Sequence, residues 1–355
     1  MSRFQTPNLK DLVPYVPGEQ PREQLLLKLN TNESPFPPSE GVKRAVAAES
    51  ERLQLYSDPT CLRLREALGA FLGVDPDEIL MTNGSDQILA LAFSSFGDAE
   101  TPFVCPSLTY GFYPVLAGLY HIPYETIPLR DDFTIDPAQY EGLHKNIAFA
   151  NPNAPTGCAL SAAEVERIVA ANPDRVVIVD EAYVDFGGET VVPLIHKYDN
   201  LLVTRTFSKS YSLAGARLGY GVGNRDLIND LNTLKYATDP YAVNRMTAAA
   251  GIAALQDHAY YRANCDAIMQ TRAEAKAALE ALGFCVADSR ANFLFASHPD
   301  MDGEALYKAL RGRGILVRHF DDPAIHNYNR ITVGTREQMQ QLLAAAETIL
   351  KEGSV

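Results

Sequence analysis

The chain has 355 residues, of which 46% are hydrophobic and 21% charged, the balance expected of a globular protein with a large core. Its net charge of −13 argues against nucleic acid or an anionic membrane surface as the main partner, although local basic groups can still bind small anions. The five cysteines lack metal-binding spacing and no apolar run could span a membrane, so we expect no metal site and a reducing, cytoplasmic location.

Residues 1–40 are rich in proline and asparagine, which predicts an extended N-terminal arm. From residue 41 to about 244, helical patterns alternate with short apolar runs. We predict helices at 41–53 and 62–73 and strands at 78–82, 102–106, 146–150, 175–180, 201–206 and 217–223. Strands that alternate with helices indicate an α/β fold, here a large domain with a mostly parallel sheet between layers of helices.

The pattern changes beyond residue 244. A long helical stretch at 246–282 precedes short apolar runs in FCVADSRANFLFAS, ILVRHF and NRITVGT, and further helices are predicted at 303–312 and from about 336. Helices mixed with short strands in this way are typical of an α+β domain. We therefore predict a smaller second domain at 245–355, which closes on the first.

Polar residues stand where successive predicted strands end. Asp180 ends the apolar run RVVIVD, and Tyr183 follows three residues later. Lys209 follows the next strand, in TRTFSKSYSLAGAR, among hydroxyl residues and before Arg217. Each of these alone is most simply a turn, surface or ion-pairing residue. Because ligands of parallel sheets bind at the carboxyl ends of the strands, we expect them to share one crevice.

Two loops add to this constellation. Residues 83–86, Asn-Gly-Ser-Asp, lead into a helix whose free N–H groups either bind an anion or form an ordinary capped turn. NPNAPTG at 151–157 has two X-Pro bonds, which predicts a rigid loop after a strand. An anion cradle, a strand-end acid, a tyrosine and a lysine together suit pyridoxal 5′-phosphate, which has a phosphate, a ring nitrogen and an aldehyde.

The motifs resemble, in order along nearly the whole chain, those of the fold-type I pyridoxal phosphate aminotransferases. VDEAY and FSKSYSLAGARLGY at this separation are typical of the superfamily, and RITVGTRE resembles its histidinol-phosphate branch. The other matching motifs are LNTNESPF, YSDPTCLRLREAL, NGSDQIL, PSLTYGFY and NPNAPTG. The resemblance implies amino transfer from L-histidinol phosphate to 2-oxoglutarate in histidine biosynthesis, with ping-pong kinetics, by a homodimer with shared active sites.

The resemblance also implies a role for each residue of the constellation. Lys209 would form the Schiff base and carry the proton, Asp180 would pair with the ring nitrogen, and Tyr183 would donate to the ring oxygen. The residues implied in holding the ring and phosphate are Gly84, Ser85, Tyr110, Thr206, Ser208 and Arg217, with Tyr56 reaching the phosphate of the neighbouring subunit. Those implied in binding the substrate's phosphate or carboxylate are Tyr15, Arg318 and Arg330.

One position departs from the family pattern. The family usually has asparagine directly before Pro-Thr-Gly, where its side chain contacts the ring oxygen, but this chain has Ala154. Either Asn153 or Asn151 supplies the amide instead, or Tyr183 acts alone. Of these residues, Asn153 is the predicted cofactor contact.

Three other functions remain open from the sequence. They are a pyridoxal phosphate decarboxylase of threonine phosphate, an aminotransferase for aromatic amino acids, and a non-catalytic regulator with the same fold. The presence of Lys209, Asp180 and Arg217 argues against the regulator. Half-reactions with candidate amines would distinguish the decarboxylase and the aromatic aminotransferase from a histidinol-phosphate aminotransferase.

Overall fold

The computed structural model describes residues 3–6, 9, 12–20 and 26–353, so part of the predicted arm at 1–40 lies outside the described residues. Up to residue 244, strands and helices alternate much as predicted. The elements are β1 (Leu27–Lys28), α1 (Glu40–Ser50), α2 (Leu62–Leu72), β2 (Ile79–Thr82), α3 (Ser85–Phe96), β3 (Phe103–Pro106), α4 (Tyr113–Tyr120), β4 (Tyr124–Ile127), β5 (Asn146–Ala150), α5 (Ala162–Ala171), β6 (Val177–Asp180), β7 (Leu201–Thr206), β8 (Gly219–Gly223) and α6 (Arg225–Thr238).

Helices and short strands follow beyond residue 244. They are α7 (Arg245–Gln256), α8 (His258–Ala281), β9 (Cys285–Val286), β10 (Phe293–Ser297), α9 (Gly303–Gly312), β11 (Ile315–Leu316), β12 (Arg318–His319), β13 (Asn329–Thr332) and α10 (Arg336–Gly353). The stretch predicted as one helix at 246–282 is two helices, because the chain turns at Asp257.

Seven strands form the large sheet, in the order β2-β8-β7-β6-β5-β3-β4. The strand β8 is antiparallel to its neighbours β2 and β7, and all other neighbours are parallel. The prediction of a mostly parallel sheet is therefore confirmed. Asp180 at the end of β6 lies opposite Ala150 of β5 and Thr204 of β7, so these strands bring their carboxyl ends to one edge.

Helices cover both faces of this sheet. Val177 and Val179 of β6 pack in one hydrophobic cluster with residues of α2, α5 and α7. Ile178 points to the other face and packs with residues of α3, α4 and α6. Burial on both faces explains the continuous apolar runs in the sequence, and each such side chain contributes about 1.5–3 kcal/mol when fully buried.

A second, four-stranded antiparallel sheet has the order β12-β13-β10-β9 and packs with α8, α9 and α10 around a third hydrophobic cluster. The strand β1 pairs in parallel with β11, so the chain before α1 joins this C-terminal part. Tyr183 and Ala154 pack in the same cluster, although both follow strands of the large sheet. The domain limits at residues 40 and 244 remain a prediction.

Close backbone contact fixes the start of α3 beside the end of β7. Gly219, the first residue of β8, pairs with Thr206 of β7. A methyl group on Gly219 would lie only 2.3 Å from the amide nitrogen of Ser85, so glycine is required for this approach. The loop 83–86 and the end of β7 are therefore held side by side.

The described ranges contain neither a membrane-spanning helix nor a metal cluster. Within residues 3–6, 9, 12–20 and 26–353, no helix combines the length and hydropathy needed to cross a bilayer. In the same ranges, no three His, Cys, Asp or Glu side chains are placed to bind one metal ion. The five cysteines are all free thiols.

Candidate active site

Most of the predicted site residues meet in one crevice of about 1070 Å³. It lies at the carboxyl ends of β5, β6 and β7 and is also lined by residues of β12 and β13. The predicted residues that line it are Tyr15, Ser85, Tyr110, Asp180, Tyr183, Thr206, Ser208, Lys209, Arg217, Arg318 and Arg330. Gly84 lies directly before Ser85, whereas Tyr56 and Asn153 lie outside the lining.

Asp180 carries a buried carboxylate at the end of β6. It accepts hydrogen bonds from Thr204 Oγ1 at 3.0 Å, Tyr113 OH at 3.3 Å and the Ala182 N–H at 3.2 Å. Burial raises the pKa of this carboxyl to about 6 in spite of these bonds. Among the residues that the structure describes, no cationic side chain pairs with it. A ligand that brings a cation, such as a protonated ring nitrogen, would relieve this buried charge.

Lys209 lies in the loop after β7 and reaches into the crevice. Its Nζ donates a hydrogen bond to the backbone oxygen of Thr31 at 3.3 Å and lies 5.7 Å from the centre of the Tyr183 ring. No carboxylate in the described part of the chain forms an ion pair with it. An amine that is held only by one long hydrogen bond is free to react with an aldehyde.

Hydroxyl groups, a helix N-terminus and a guanidinium form a cradle near the end of β7. Thr206 Oγ1 donates to Ser208 Oγ at 2.9 Å. Gly84 caps α3 with φ +80°, and a methyl group there would lie 2.5 Å from Arg217 Nη2. Arg217 itself has φ +54°, a left-handed conformation that costs a non-glycine residue about 1–2 kcal/mol. These donor types are the ones that bind phosphate in proteins.

Asp86 links this cradle to an aromatic wall of the crevice. Its carboxylate accepts from Arg217 Nη2 at 3.0 Å and from Tyr110 OH at 2.9 Å. Burial raises the pKa of Tyr110 far above its usual value, so the phenol remains a hydrogen-bond donor. Asp86 was not predicted as a site residue, although it stands in the motif NGSDQIL.

The hydrogen bonds of the loop 151–157 argue against the predicted contact of Asn153 with the cofactor. Asn153 is buried, and its Nδ2 donates to Leu108 O at 2.9 Å while its Oδ1 accepts from Thr109 Oγ1 at 2.8 Å. The amide of Asn151 is likewise bound to backbone groups. Neither asparagine therefore offers its amide to the crevice, which this loop lines with Ala154 and the proline after it.

Two guanidinium groups face the crevice from the four-stranded sheet. Arg330 of β13 lies 5.3 Å from the ring centre of Phe293 and donates to the backbone oxygen of Asn30 at 3.1 Å. Burial lowers the pKa of Arg330 below its usual value, as expected for a cation short of negative partners. Arg318 of β12 donates to backbone carbonyls of the arm at 3.3 and 3.5 Å. Neither arginine has a carboxylate partner among the described residues.

Tyr15 belongs to the arm segment 12–20 and closes one side of the crevice. Its ring meets those of Tyr110 and Phe112 edge-on, with centres 5.9 and 6.0 Å apart. Burial raises the pKa of Tyr15, while the nearby guanidinium groups of Arg330 and Arg318 act in the opposite direction. The hydroxyl is therefore a hydrogen-bond donor at neutral pH, and it lies within the electrostatic influence of the two arginines.

Tyr56 lies on a different surface. It is 80% exposed and stacks on Tyr241, with ring centres 4.7 Å apart. Leu53 and Leu55, next to it in sequence, are 57% and 51% exposed. Apolar side chains that are exposed together in this way are typical of a surface that another protein covers.

Comparisons with known proteins give the family context. The profile of the aminotransferase class I and II family matches residues 25–345. A protein named histidinol-phosphate aminotransferase, from Marinomonas sp., is 49% identical over 353 residues, which cover 98% of this chain and 100% of that protein.

Solved structures show the same fold. The crystal structure of histidinol-phosphate aminotransferase from Sinorhizobium meliloti in complex with pyridoxal-5′-phosphate has a TM-score of 0.89 at 24% identity, with 99% of both chains covered. The crystal structure of L-threonine-O-3-phosphate decarboxylase from Porphyromonas gingivalis has a TM-score of 0.79, also at 24% identity, with 92% of this chain and 100% of that chain covered. The fold alone therefore does not separate the two activities.

The buried charge of Asp180 predicts a stability effect in the cofactor-free protein. The carboxyl has a pKa of about 6 in the folded protein, above its ordinary value of 3.8. The folded protein therefore binds the proton more tightly than the unfolded chain, and the free energy of unfolding falls as pH rises through this window. Asp180→Asn should therefore be more stable than wild type at pH about 7, by up to about 3 kcal/mol, and lose this advantage near pH 4.

Urea unfolding of both cofactor-free proteins at the two pH values measures this difference. A difference that does not change with pH would contradict a buried, unpaired carboxylate at position 180.

Proposed function

Because the chain belongs to the aminotransferase class I and II family, and within it to the histidinol-phosphate aminotransferases, we propose that it transfers the amino group of L-histidinol phosphate to 2-oxoglutarate. The products are imidazole acetol phosphate and L-glutamate, a step of histidine biosynthesis. One observation carries the proposal: a single crevice joins Lys209, which has no carboxylate partner in the described residues, to two separate sets of groups suited to anions, one beside each sheet. One set suits the phosphate of a cofactor and the other suits the phosphate of a substrate.

The residues present fit pyridoxal 5′-phosphate as the cofactor. When bound, it supplies an aldehyde that takes up amino groups and a ring that accepts the electrons left when an α-carbon loses its proton. Ser85, Thr206, Ser208 and Arg217 would bind its phosphate, together with the N–H groups that follow Gly84. The fit rests on the cradle and on the buried Asp180, which lacks a cation in the described residues.

Asp180, Tyr183 and Lys209 have distinct tasks in this proposal. Asp180 would hold a proton on the ring nitrogen, and that positive charge would in turn keep the carboxylate ionised. Tyr183 OH would donate a hydrogen bond to the ring oxygen. Lys209 Nζ would act as the base and acid that moves the proton of the substrate's α-carbon. The carbonyl of Thr31, 3.3 Å from Nζ, keeps the amine in the crevice between these transfers.

Arg330, Arg318 and Tyr15 form the proposed substrate site. A planar guanidinium binds a phosphate or a carboxylate through the same pair of N–H groups. The site can therefore hold the phosphate of histidinol phosphate in one half-reaction and a carboxylate of 2-oxoglutarate in the other. This alternation gives ping-pong kinetics. Tyr110 contacts Tyr15 and would lie between the substrate site and the cofactor.

We also propose that two chains form a homodimer with shared active sites, and that it works in the cytoplasm. The exposed Tyr56, Leu53, Leu55 and Tyr241 support a covered surface at this position. Tyr56 would then reach the cofactor phosphate of the other subunit. The free state of all five cysteines is consistent with a reducing compartment.

The substrate assignment predicts how two variants divide between the half-reactions. The cofactor-loaded enzyme should lose its yellow colour with L-histidinol phosphate alone and regain it with 2-oxoglutarate. Arg330→Ala should slow both half-reactions, because both anions use this guanidinium. Tyr15→Phe should mainly slow the half-reaction of the phosphorylated amine. The expected decrease is about 2- to 10-fold, which corresponds to one hydrogen bond of about 0.5–1.5 kcal/mol.

Rapid-mixing absorbance measurements with each substrate separately test this division. L-Threonine phosphate and aromatic amino acids serve as the competing substrates. Release of carbon dioxide from L-threonine phosphate, without any half-reaction on L-histidinol phosphate, would replace the proposal with a decarboxylase.

Shared active sites predict rescue between two inactive variants. Tyr56→Ala and Lys209→Ala should each have little activity as pure dimers. In a mixture refolded together, half of the dimers are mixed and each has one intact site, so about a quarter of wild-type activity should return. A mixture no more active than its components would show that each site is built from one chain.

A further inference from the structure

Asn32 is a buried residue whose side-chain amide has a fixed orientation. It is 1% exposed and has φ +56°. Its backbone N–H donates to Thr332 Oγ1 at 2.9 Å, and the same hydroxyl donates to Asn32 Oδ1 at 3.2 Å. Asn292 Nδ2 donates to the Asn32 carbonyl at 3.0 Å. With Oδ1 held by Thr332, the amide nitrogen must point the other way.

That nitrogen points to Tyr183. Asn32 Nδ2 lies 2.9 Å from Tyr183 OH, and an amide NH₂ can only donate. The phenol oxygen therefore accepts this bond and keeps its own hydrogen for another acceptor. No acceptor for that hydrogen exists among the described residues, so it is available to a ligand in the crevice that Tyr183 lines. The direction of the Asn32 bond thus makes Tyr183 a donor.

The family usually provides a second donor to the ring oxygen of pyridoxal phosphate, the side-chain amide of an asparagine, and this chain lacks it. Position 154 is alanine, and the amides of Asn151 and Asn153 are bound to other groups. Neither asparagine of this loop can therefore replace the missing amide, and Tyr183 remains the proposed donor to the ring oxygen. A hydrogen bond received by the phenol oxygen polarises its O–H bond and strengthens the bond that it donates.

We infer that Asn32 is a positioning residue that acts through Tyr183 and compensates for the amide missing at Ala154. The inference rests on the proposed function, because the acceptor is the ring oxygen of pyridoxal phosphate. Asn32 does not touch the reacting atoms; it determines which way the phenol donates.

The neighbouring strap, residues 28–33, supports this role. Lys28 Nζ binds both Thr31 Oγ1, at 2.7 Å, and the carboxylate of Glu33, so the strap is closed on either side of Asn32. The carbonyl of Thr31 in turn holds Lys209. The same strap therefore contacts both the amine and the phenol that would flank the aldehyde and ring oxygen.

The test follows the visible absorption of the cofactor-loaded protein as a function of pH. A donor to the ring oxygen stabilises the negative charge that remains there when the Lys209 nitrogen loses its proton. A weaker donor should therefore raise the pH at the midpoint of the absorption change. The charged and titratable groups that face Tyr183 are Lys209, Arg330, Tyr15 and Tyr110.

Asn32→Gly is the variant of choice, because glycine accepts the positive φ without strain and removes only the side chain. It should raise the midpoint by about one pH unit, which is about 1.4 kcal/mol. Asn32→Asp, which keeps the shape but presents an acceptor to the phenol, should raise it further. Adding Ala154→Asn to Asn32→Gly should move the midpoint back towards wild type.

Tyr183→Phe gives the matched background. In it, Asn32→Gly should cause no further shift, because the amide acts only through the phenol. An unchanged midpoint in Asn32→Gly, or an equal shift in the Tyr183→Phe background, would overturn the inference. A wild-type protein that develops no visible band with pyridoxal phosphate would instead overturn the proposed function, so the two failures are distinguishable.

Discussion

The negative charge buried at Asp180 is the constraint on which the rest of the crevice depends. A carboxylate in this position destabilises the folded chain unless a cation joins it, and the described residues provide hydrogen bonds but no cation. The parallel pairing of β6 and β7 places this acid on the strand next to the one that leads to Lys209. A ligand that carries its own positive charge would therefore remove this cost.

The crevice is completed by segments that are distant in sequence. The large sheet provides the acid, the lysine and the cradle, whereas β12, β13 and the strap contribute the two arginines and the amide of Asn32. The strap is tied to the C-terminal part by β1, which pairs with β11, and by the bond of Asn32 to Thr332. Motion of that C-terminal part would therefore change the phenol and the anion site together.

Sequence alone was enough to predict the elements that depend on local pattern. Buried strands such as β6 and β7 are continuous apolar runs, and the polar residues that follow them mark the crevice. The edge strand β4 was missed because Tyr-Glu-Thr-Ile is half exposed and has no apolar run. The turn at Asp257 was missed because neither glycine nor proline marks it.

The hydrogen-bond partners of individual side chains could not be predicted in this way. Asn153 was a reasonable candidate for the cofactor, but its amide is taken by Leu108 and Thr109, more than 40 residues earlier in the chain. Asn32 stands in the motif LNTNESPF, yet its partner Thr332 is 300 residues away. Such pairings depend on tertiary packing, and no spacing rule in the sequence reports them.

The most direct test of the central claim is to find which lysine carries the cofactor. The protein is loaded with pyridoxal phosphate, reduced with borohydride, digested, and the labelled peptide is identified by mass spectrometry. The account predicts a single label on Lys209, and a Lys209→Ala variant that binds the cofactor without becoming labelled. A label on another lysine, with Lys209 unmodified, would contradict it.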